Sequence, residues 1–195
     1  MDTHHPGIIH IMEFSMSDFV SKHYNVFEMF AKQWALVAAG NLAKHNACTV
    51  AWGSLGTIWT GAGNNGSIVT VYLHPARLTR GVLLENSHFT VSFYPPEYKK
   101  ALGYMGAHSG RKEIDKDIAA GLTPVAFGES VTYKESNLTF LCRKLYQHQF
   151  AKEDLHEDIK NYYKTNPKSF PVDEHGDWQP HWMFVGEILD VLDKR

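Results

Sequence analysis

Residues 46–59 of the chain read Asn-Ala-Cys-Thr-Val-Ala-Trp-Gly-Ser-Leu-Gly-Thr-Ile-Trp. The stretch combines an amide, a thiol, hydroxyls, two indoles and two glycines. A plain buried strand does not need this mixture, because polar side chains require partners once they leave water and an indole N–H is one more donor to satisfy. We therefore interpret the stretch as part of a site for a flat, polar molecule.

The spacing of these residues is also that of a known motif. It reads Asn-x-x-Thr-x-x-Trp-Gly-x-x-Gly from Asn46 to Gly56. This pattern resembles the flavin reductase-like family, the FMN-binding split barrels that include flavoredoxins and short-chain NAD(P)H:flavin reductases. The resemblance implies a mainly β fold with helices, a split β-barrel of the Greek-key type, in a single domain over residues 1–195.

A second stretch of interest begins after Pro75, where the apolar spacing predicts a helix from about Arg77. Arg77, Thr79 and Arg80 at a helix N-terminus favour an anion such as phosphate, because free N–H groups, the helix dipole and guanidinium groups all attract negative charge. The residues alone fit two solvated arginines on a surface helix equally well. The resemblance favours the anion site, since family members carry Arg-x-Thr here and hold the FMN phosphate with it.

Two later stretches agree with the same family. The polar turn at 106–116 contains Ser109-Gly110-Arg111 and then Asp115-Lys116, which resembles the family's Ser-Gly and Lys near the phosphate and ribityl chain. The segment 181–191 contains His-x-x-Phe-Val-Gly-Glu-Ile, which resembles its closing strand. The resemblance therefore extends over nearly the whole chain.

By this resemblance, the polar edge of the flavin ring is expected against Asn46, Thr49 and the backbone between Cys48 and Ser54, with Trp52 packing nearby. The phosphate is expected on Arg77, Thr79, Ser109 and Lys116, while Arg111 is expected on a solvated turn. The complete set of expected FMN-binding residues is Asn46, Ala47, Cys48, Thr49, Trp52, Gly53, Ser54, Arg77, Leu78, Thr79, Ser109, Gly110 and Lys116.

Cys48 departs from the family pattern, in which a larger apolar residue such as Met is common at this position. A small thiol is by default a packing residue. A thiol beside a flavin could also tune its potential or make the site sensitive to oxidants. The sequence leaves both interpretations open.

Composition excludes several classes of protein. The chain has 195 residues, of which 44% are hydrophobic and 21% charged, which is typical of a folded globular protein. A formal charge of −2 argues against nucleic-acid binding, which needs a concentrated basic face. No apolar run reaches membrane-spanning length and the N-terminus lacks a secretory signal, so we expect a cytoplasmic protein that does not bind membranes.

The cysteines and histidines predict neither a disulfide framework nor a metal site. Cys48 and Cys142 are the only cysteines, and the twelve histidines do not follow the ligand spacings of known metal motifs. We expect no catalytic side chain either, because a flavin itself accepts the hydride and the protein supplies position, polarity and exclusion of water.

The hydrophobic pattern predicts the following elements. Residues 1–18 are expected to be an irregular lead-in, and 34–40 a central strand. Tyr24, Phe27, Phe30 and Trp34 are expected on the buried face of a short helix. The other expected strands are 48–52, which breaks at Gly53, then 67–73, 88–94, 123–133, 136–150 and 181–191, with helices at 97–105 and 153–164.

Two functions from different classes fit these observations. The first is an FMN oxidoreductase that takes hydride from NADH or NADPH and passes electrons to free flavin or another acceptor. The second is a flavoredoxin-like carrier that exchanges electrons with a redox partner protein. A split barrel with another cofactor fits the phosphate motifs less well. We favour the enzyme because the glycine-rich segment from Gly53 to Gly66 is expected to leave one flavin face open, and the family implies a homodimer.

Overall fold

The structure is a computed structural model that describes residues 19–195. The irregular lead-in expected for residues 1–18 lies outside the described residues. Within the described part, β-strands form the framework and short helices lie between some of them along the chain.

The strands of the described residues form one large antiparallel sheet and one small hairpin. Their bounds are β1 Ala35–Asn41, β2 Lys44–Val50, β3 Gly53–Thr57, β4 Ser67–Leu73, β5 His88–Phe93, β6 Pro124–Phe127, β7 Ser130–Tyr133, β8 Leu138–Gln149 and β9 Trp182–Asp193. The large sheet has the order β2-β1-β5-β8-β9-β4-β3, and β6 pairs only with β7. The expected mainly β fold is confirmed.

The helices are short and lie between strands. Their bounds are α1 Val26–Glu28, α2 Leu78–Glu85, α3 Lys99–Ala107, α4 Lys116–Ala119 and α5 Glu157–Thr165. A π-turn at Met29–Gln33 continues α1, and a 3₁₀ turn at Pro96–Tyr98 precedes α3.

The connection between β2 and β3 determines the shape of the large sheet. These strands lie at opposite ends of the strand order, yet only Ala51 and Trp52 separate Val50 from Gly53 along the chain. A trans peptide chain advances at most about 3.6 Å per residue, so the two edges of the sheet must come close together at this point. The sheet therefore curls into a barrel with its seam at Ala51 and Trp52.

Strand β1 lies inside this barrel wall, as its continuous apolar sequence predicts. Ala35, Val37 and Ala39 belong to the main core. Leu36 and Ala38 point to the other face and belong to a second core against α3 and the β6–β7 hairpin. A strand that is buried on both faces has no polar face, which explains why its sequence does not alternate.

The boundary between β2 and β3 differs from the expectation that a strand over 48–52 breaks at Gly53. The strand β2 starts at Lys44 and ends at Val50, and Gly53 is the first residue of β3. Gly53 is needed for packing rather than for a turn, because a Cβ added there would lie 2.2 Å from the ring of Phe30.

Other expected boundaries also shift. The segment 123–133 forms the hairpin of β6 and β7, because Gly128 adopts a positive φ of 55° and turns the chain. Helix α5 begins at Glu157 instead of 153, where the side chain of His156 accepts a hydrogen bond from the Asp158 backbone N–H. Phe27 is 89% exposed, so its expected burial is wrong: the π-turn interrupts the 3.6-residue period on which that expectation depends.

The polar face of β5 is buried as well. The Thr90 hydroxyl donates to the Val131 carbonyl at 2.6 Å, and the hydroxyls of Ser92 and Thr132 are 3.0 Å apart. These bonds attach the β6–β7 hairpin to the outside of the large sheet.

In residues 19–195, none of the helices is long and apolar enough to cross a membrane.

The contact between Gly53 and Phe30 predicts a position-specific effect on stability. Gly53→Ala is expected to lower the free energy of unfolding by about 1–3 kcal/mol, because the added Cβ must displace a buried ring. Gly56→Ala is the matched control, since Gly56 lies on the same strand and a Cβ there meets nothing within 4 Å. Urea denaturation measures both variants, and equal losses at the two positions would contradict this account of Gly53.

Candidate functional site

A polar recess lies beside the barrel seam, where β2, the N-terminus of α2 and the turn after α3 meet. It has a volume of about 30 Å³, and its lining residues are Asn46, Cys48, Ala76, Arg77, Leu78, Thr79, His108, Ser109, Gly110 and Lys116. Three stretches that are far apart in the sequence, around residues 46, 77 and 109, thus meet at one place, as the motifs predict.

The recess is held together by a buried hydrogen bond between α2 and β2. The Thr79 hydroxyl donates to Asn46 Oδ1 at 2.7 Å, and Thr79 is fully buried. A Cβ on Gly110 would lie 2.0 Å from Asn46 Nδ2, so glycine is required for the turn to approach β2. Thr79 and Gly110 therefore shape the recess by positioning Asn46.

Two cations line this recess, Arg77 and Lys116, and each already binds a backbone carbonyl. Arg77 Nη1 donates to the Gly106 carbonyl at 2.5 Å, and Lys116 Nζ donates to the carbonyls of His108 at 3.1 Å and Met105 at 3.3 Å. These carbonyls lie at or just after the C-terminal end of α3, where helix carbonyls lack partners and carry partial negative charge. Burial lowers the pKa of Lys116.

Arg111 was expected on a solvated turn. Its side chain is exposed, yet Nη1 donates to the Ala76 carbonyl at 2.7 Å. Arg111 therefore fastens the turn after α3 to the segment that leads into α2. Its guanidinium lies close enough to the recess to add to the positive potential there.

The start of α2 adds to the attraction for an anion. Its N-cap residue, Arg77, makes no side-chain capping bond, so the first N–H groups of the helix remain available. No Asp or Glu lines the recess among residues 19–195. Free N–H groups, two nearby cations and the absence of a carboxylate in the lining are the features of a phosphate site.

A larger cavity opens next to the recess and shares Cys48, Ala76, Arg77 and Ser109 with it. Its volume is about 620 Å³, and its remaining lining residues are Thr49, Val50, Ala51, Trp52, Tyr72, Leu73, His74, Gly106, Ala107, Lys168, Ser169, Phe170, Pro171 and His181. Trp52, in the lining of this cavity, is 42% exposed. Recess and cavity together form one continuous candidate site.

Not all of the expected site residues line this site. Ala47 points to the second core, on the opposite face of β2 from Asn46 and Cys48, because side chains alternate along a strand. Gly53 and Ser54 belong to β3 and line neither the recess nor the cavity. Thr49 lines the cavity, but its hydroxyl donates to the Leu102 carbonyl at 2.6 Å.

The environment of Cys48 favours one of its two interpretations. The thiol is fully enclosed, and burial raises its pKa. It therefore stays protonated at neutral pH, in a form that is a poor nucleophile. Packing beside the recess is the role that this environment supports.

A group of rings beside the cavity forms what we call the aromatic–histidine cluster: Trp52, His74, Tyr163, Phe170 and His181. Of these residues, only Trp52 was among the expected site residues. The ring centroids of Trp52 and His181 are 4.7 Å apart, and those of His74 and His181 are 5.2 Å apart. Its members come from four separate segments of the chain. No spacing within the sequence could have connected them.

Both histidines of the cluster are neutral at physiological pH. Burial, with smaller contributions from nearby positive charges, lowers the pKa of His74 to about 4 and the pKa of His181 to about 3. Neutral imidazoles can donate one hydrogen bond and accept another. The cavity thus offers fixed hydrogen-bonding groups whose charge does not change between pH 5 and 8.

Comparison with known proteins supports the fold. No family model matches the chain, and no curated protein matches it. Among solved structures, a flavoredoxin from Methanosarcina acetivorans superimposes with a TM-score of 0.60 at 20% identity, covering 89% of this chain and 74% of that chain. An FMN-binding protein from Thermus thermophilus with bound p-hydroxybenzaldehyde gives 0.58 at 21% identity, covering 83% and 71%.

A third structure, with a split barrel domain, comes from Shewanella frigidimarina and gives a TM-score of 0.57 at 17% identity, covering 93% of this chain and 80% of that chain. The chain therefore has the split-barrel fold of these proteins, which is the fold that its motifs predict. At these identities the likeness concerns the fold, and the chemistry has to be argued from the site itself.

The two buried histidines predict how stability depends on pH. Their folded-state pKa values lie below the unfolded value near 6.5, so the unfolded chain binds protons more readily and stability falls as the pH drops below 6.5. Each histidine is expected to contribute a loss of about 2 kcal/mol between pH 7 and pH 5. Urea denaturation at both pH values should therefore show a smaller loss for His181→Gln than for the wild type.

The exposed His175 on the loop before β9 provides the control. His175→Gln should keep the wild-type difference between pH 7 and pH 5. If His181→Gln and the wild type lose the same free energy on acidification, His181 is not buried in its neutral form.

Proposed function

We propose that the protein is an FMN-binding oxidoreductase that takes hydride from NADH or NADPH and passes electrons to free flavin or another acceptor. The observation that carries this proposal is the junction of a cation-rich recess at a helix N-terminus with a larger cavity lined by rings and backbone. This is the shape and polarity of a molecule that carries a phosphate at one end and a flat, polar ring at the other.

The phosphate end fits the recess, subject to one local rearrangement. With a volume of about 30 Å³, the recess has room for only one or two water molecules. Arg77 would have to exchange its bond to the Gly106 carbonyl for a bond to phosphate, and a charge-assisted bond of this kind is stronger than the one it replaces. Ser109 and the N-terminal N–H groups of α2 would supply the remaining contacts.

The ring end fits the cavity. Ala51 and Trp52 lie between β2 and β3 and belong to neither strand, so their backbone N–H and C=O groups are not used by the sheet ladder. These groups, beside Cys48 and Thr49, suit the polar edge of a flavin, which carries both donors and acceptors. Trp52 would cover part of the ring and exclude water.

When bound, FMN would supply the hydride-accepting ring, and the protein would hold and orient it. Arg77 and the start of α2 would fix the phosphate, and the backbone at the seam would fix the ring. The neutral His74 and His181 would keep the far wall of the cavity polar without adding charge.

Both the reductase and the flavoredoxin-like carrier remain compatible with the fold. The glycine-rich segment from Gly53 to Gly66 is not an open loop as expected, because Gly53–Thr57 forms β3 and only 58–66 connects it to β4. Asn65 restrains that connection, donating to Glu187 and to the Ile188 carbonyl. The support for the enzyme is instead the size of the cavity and the exposure of Trp52 in its lining, because hydride transfer requires the donor to approach the ring closely.

We also propose a homodimer in the cytoplasm. The hairpin of β3 and β4 exposes Ile58 by 39% and Trp59 by 46%, close in sequence to the exposed Trp52, and such apolar surface is typical of interfaces. Both cysteines are free and buried, which suits a reducing compartment.

The dimer is tested by light scattering at micromolar concentration. The mass of one chain is 22.1 kDa, and twice this value is expected. Trp59→Asp should shift the mass toward that of one chain, because a charge in an apolar interface is costly. A wild-type mass equal to that of a single chain contradicts the dimer.

Arg77 is expected to contribute more to FMN affinity than other cations nearby. Arg77→Ala should weaken FMN binding by about 1.5–3 kcal/mol, the range for a hydrogen bond to a charged group. Arg111→Ala should weaken it less, and Lys112→Ala, which removes a charge from an exposed position in the same turn, should have little effect. FMN titrations in which Arg77→Ala and the wild type bind equally would place the phosphate elsewhere.

The enzyme and the carrier are distinguished by mixing the oxidised FMN-loaded protein anaerobically with NADH and, separately, with NADPH. A reductase should lose its visible flavin absorbance within seconds with at least one of them. If only dithionite bleaches the flavin, while neither nicotinamide reacts over minutes, the carrier is the correct function.

A further inference from the structure

The aromatic–histidine cluster contains a hydrogen-bond donor without an acceptor. The backbone N–H of Ala76 donates to His74 Nδ1 at 3.2 Å, so the proton of the neutral ring resides on Nε2. Burial lowers the pKa of His74 and the nearby Gln179 backbone partly offsets this, but Nε2 itself is buried and has no partner in hydrogen-bonding geometry among the described residues. A buried donor without a partner costs about 1–3 kcal/mol.

His181 presents a second N–H donor in the same cluster. The Tyr163 hydroxyl accepts from the His181 backbone N–H at 3.2 Å and lies 2.6 Å from His181 Nδ1. With the hydroxyl donating its own proton to Nδ1, both bonds are complete and the ring proton of His181 lies on Nε2. The two rings, 5.2 Å apart, both offer donors and no free acceptor.

Phe170 lies in the middle of this cluster. Its ring centroid is 5.6 Å from His74, 5.4 Å from His181 and 6.0 Å from Trp52. A phenyl ring has the flat shape that these neighbours accommodate, but it provides no acceptor for either N–H group. Phe170 comes from the loop between α5 and β9 and also lines the cavity.

The charges around the cavity restrict what could replace Phe170. No carboxylate lines the cavity in residues 19–195, while Arg77 and Lys168 do. An occupant that satisfies these neighbours is flat, carries oxygen acceptors and has no positive charge.

We propose that the Phe170 side chain occupies a ligand subsite, and that a small planar compound with carbonyl oxygens, of the quinone class, takes its place as the electron acceptor. The proposal rests on the proposed oxidoreductase function. A carbonyl oxygen of the quinone accepts from Nε2–H of His74 and His181, and the quinone ring packs against Trp52. The overall reaction is balanced: quinone, NAD(P)H and one proton from solvent give hydroquinone and NAD(P)⁺.

The test is the affinity of the oxidised, FMN-loaded protein for duroquinone, measured by equilibrium dialysis. Oxidised protein holds no electrons to transfer, so the measurement reports binding alone. Durene, the same tetramethylated ring without oxygens, should bind at least about tenfold more weakly, because it leaves both N–H groups without acceptors.

Two substitutions should change duroquinone affinity in opposite directions. Phe170→Ala should strengthen binding about tenfold by removing the competing ring, and His74→Phe should weaken it by a similar factor by removing a donor. His74→Phe should keep its thermal unfolding midpoint within about 3 °C of the wild type, because the lost acceptor for the Ala76 N–H is offset by the removal of a buried Nε2–H that lacks a partner.

Val172→Ala and His175→Phe are the controls. Both residues are exposed and lie on the same loop as Phe170, so neither should alter duroquinone binding. A purely structural role for the cluster predicts that Phe170→Ala and His74→Phe both weaken binding or leave it unchanged, and either result overturns the subsite.

FMN titration of the same variants distinguishes the two proposals. If the wild type binds FMN but binds duroquinone no better than durene, the acceptor subsite is wrong and the FMN function stands. If the wild type takes up no FMN, the proposed oxidoreductase itself is wrong, and the acceptor role falls with it.

Discussion

The two-residue connection between β2 and β3 is the constraint on which the rest of the molecule depends. Ala51 and Trp52 join opposite edges of the sheet, and so short a connection forces the sheet to curl. Closure places the end of β2 beside the end of β4, and α2 follows directly after β4. The candidate site forms at this seam because the sheet ladder leaves backbone groups free there.

The recess shows how positive charge is held in place before any anion arrives. Arg77, Lys116 and Arg111 are fixed by carbonyls of the α3 terminus and of Ala76, so their side chains are already ordered. Ordering a long cationic side chain on binding costs free energy. A site that exchanges a carbonyl for a phosphate avoids much of this cost, and Arg77 is the residue best placed to make the exchange.

The resemblance of several short motifs to the flavin reductase-like family predicts the fold class and much of the recess, and local signals predict the individual elements. Strand periods, the helix after Pro75 and the glycine at position 110 each follow from a few neighbouring residues. Ala47, Gly53 and Ser54 are expected near the flavin because they lie in the stretch that resembles the family motif, but strand alternation and the end of β2 at Val50 keep them out of the lining of recess and cavity.

The aromatic–histidine cluster could not be predicted as a group, because its residues are far apart in the sequence. Trp52, His74, Phe170 and His181 are brought together only by closure of the barrel and by the loop before β9, and an isolated histidine carries no sign of its burial. The burial of Phe27 was predicted wrongly for a similar reason, since the π-turn after α1 is not visible in the hydrophobic pattern.

The central claim is that recess and cavity hold the two ends of one FMN molecule. Calorimetric titration of the flavin-free protein with FMN and with riboflavin, which lacks the phosphate, tests it most directly. We expect FMN to bind about tenfold to a hundredfold more tightly than riboflavin, because its phosphate makes charge-assisted bonds. Equal affinity for the two flavins, or no binding of either, would contradict it.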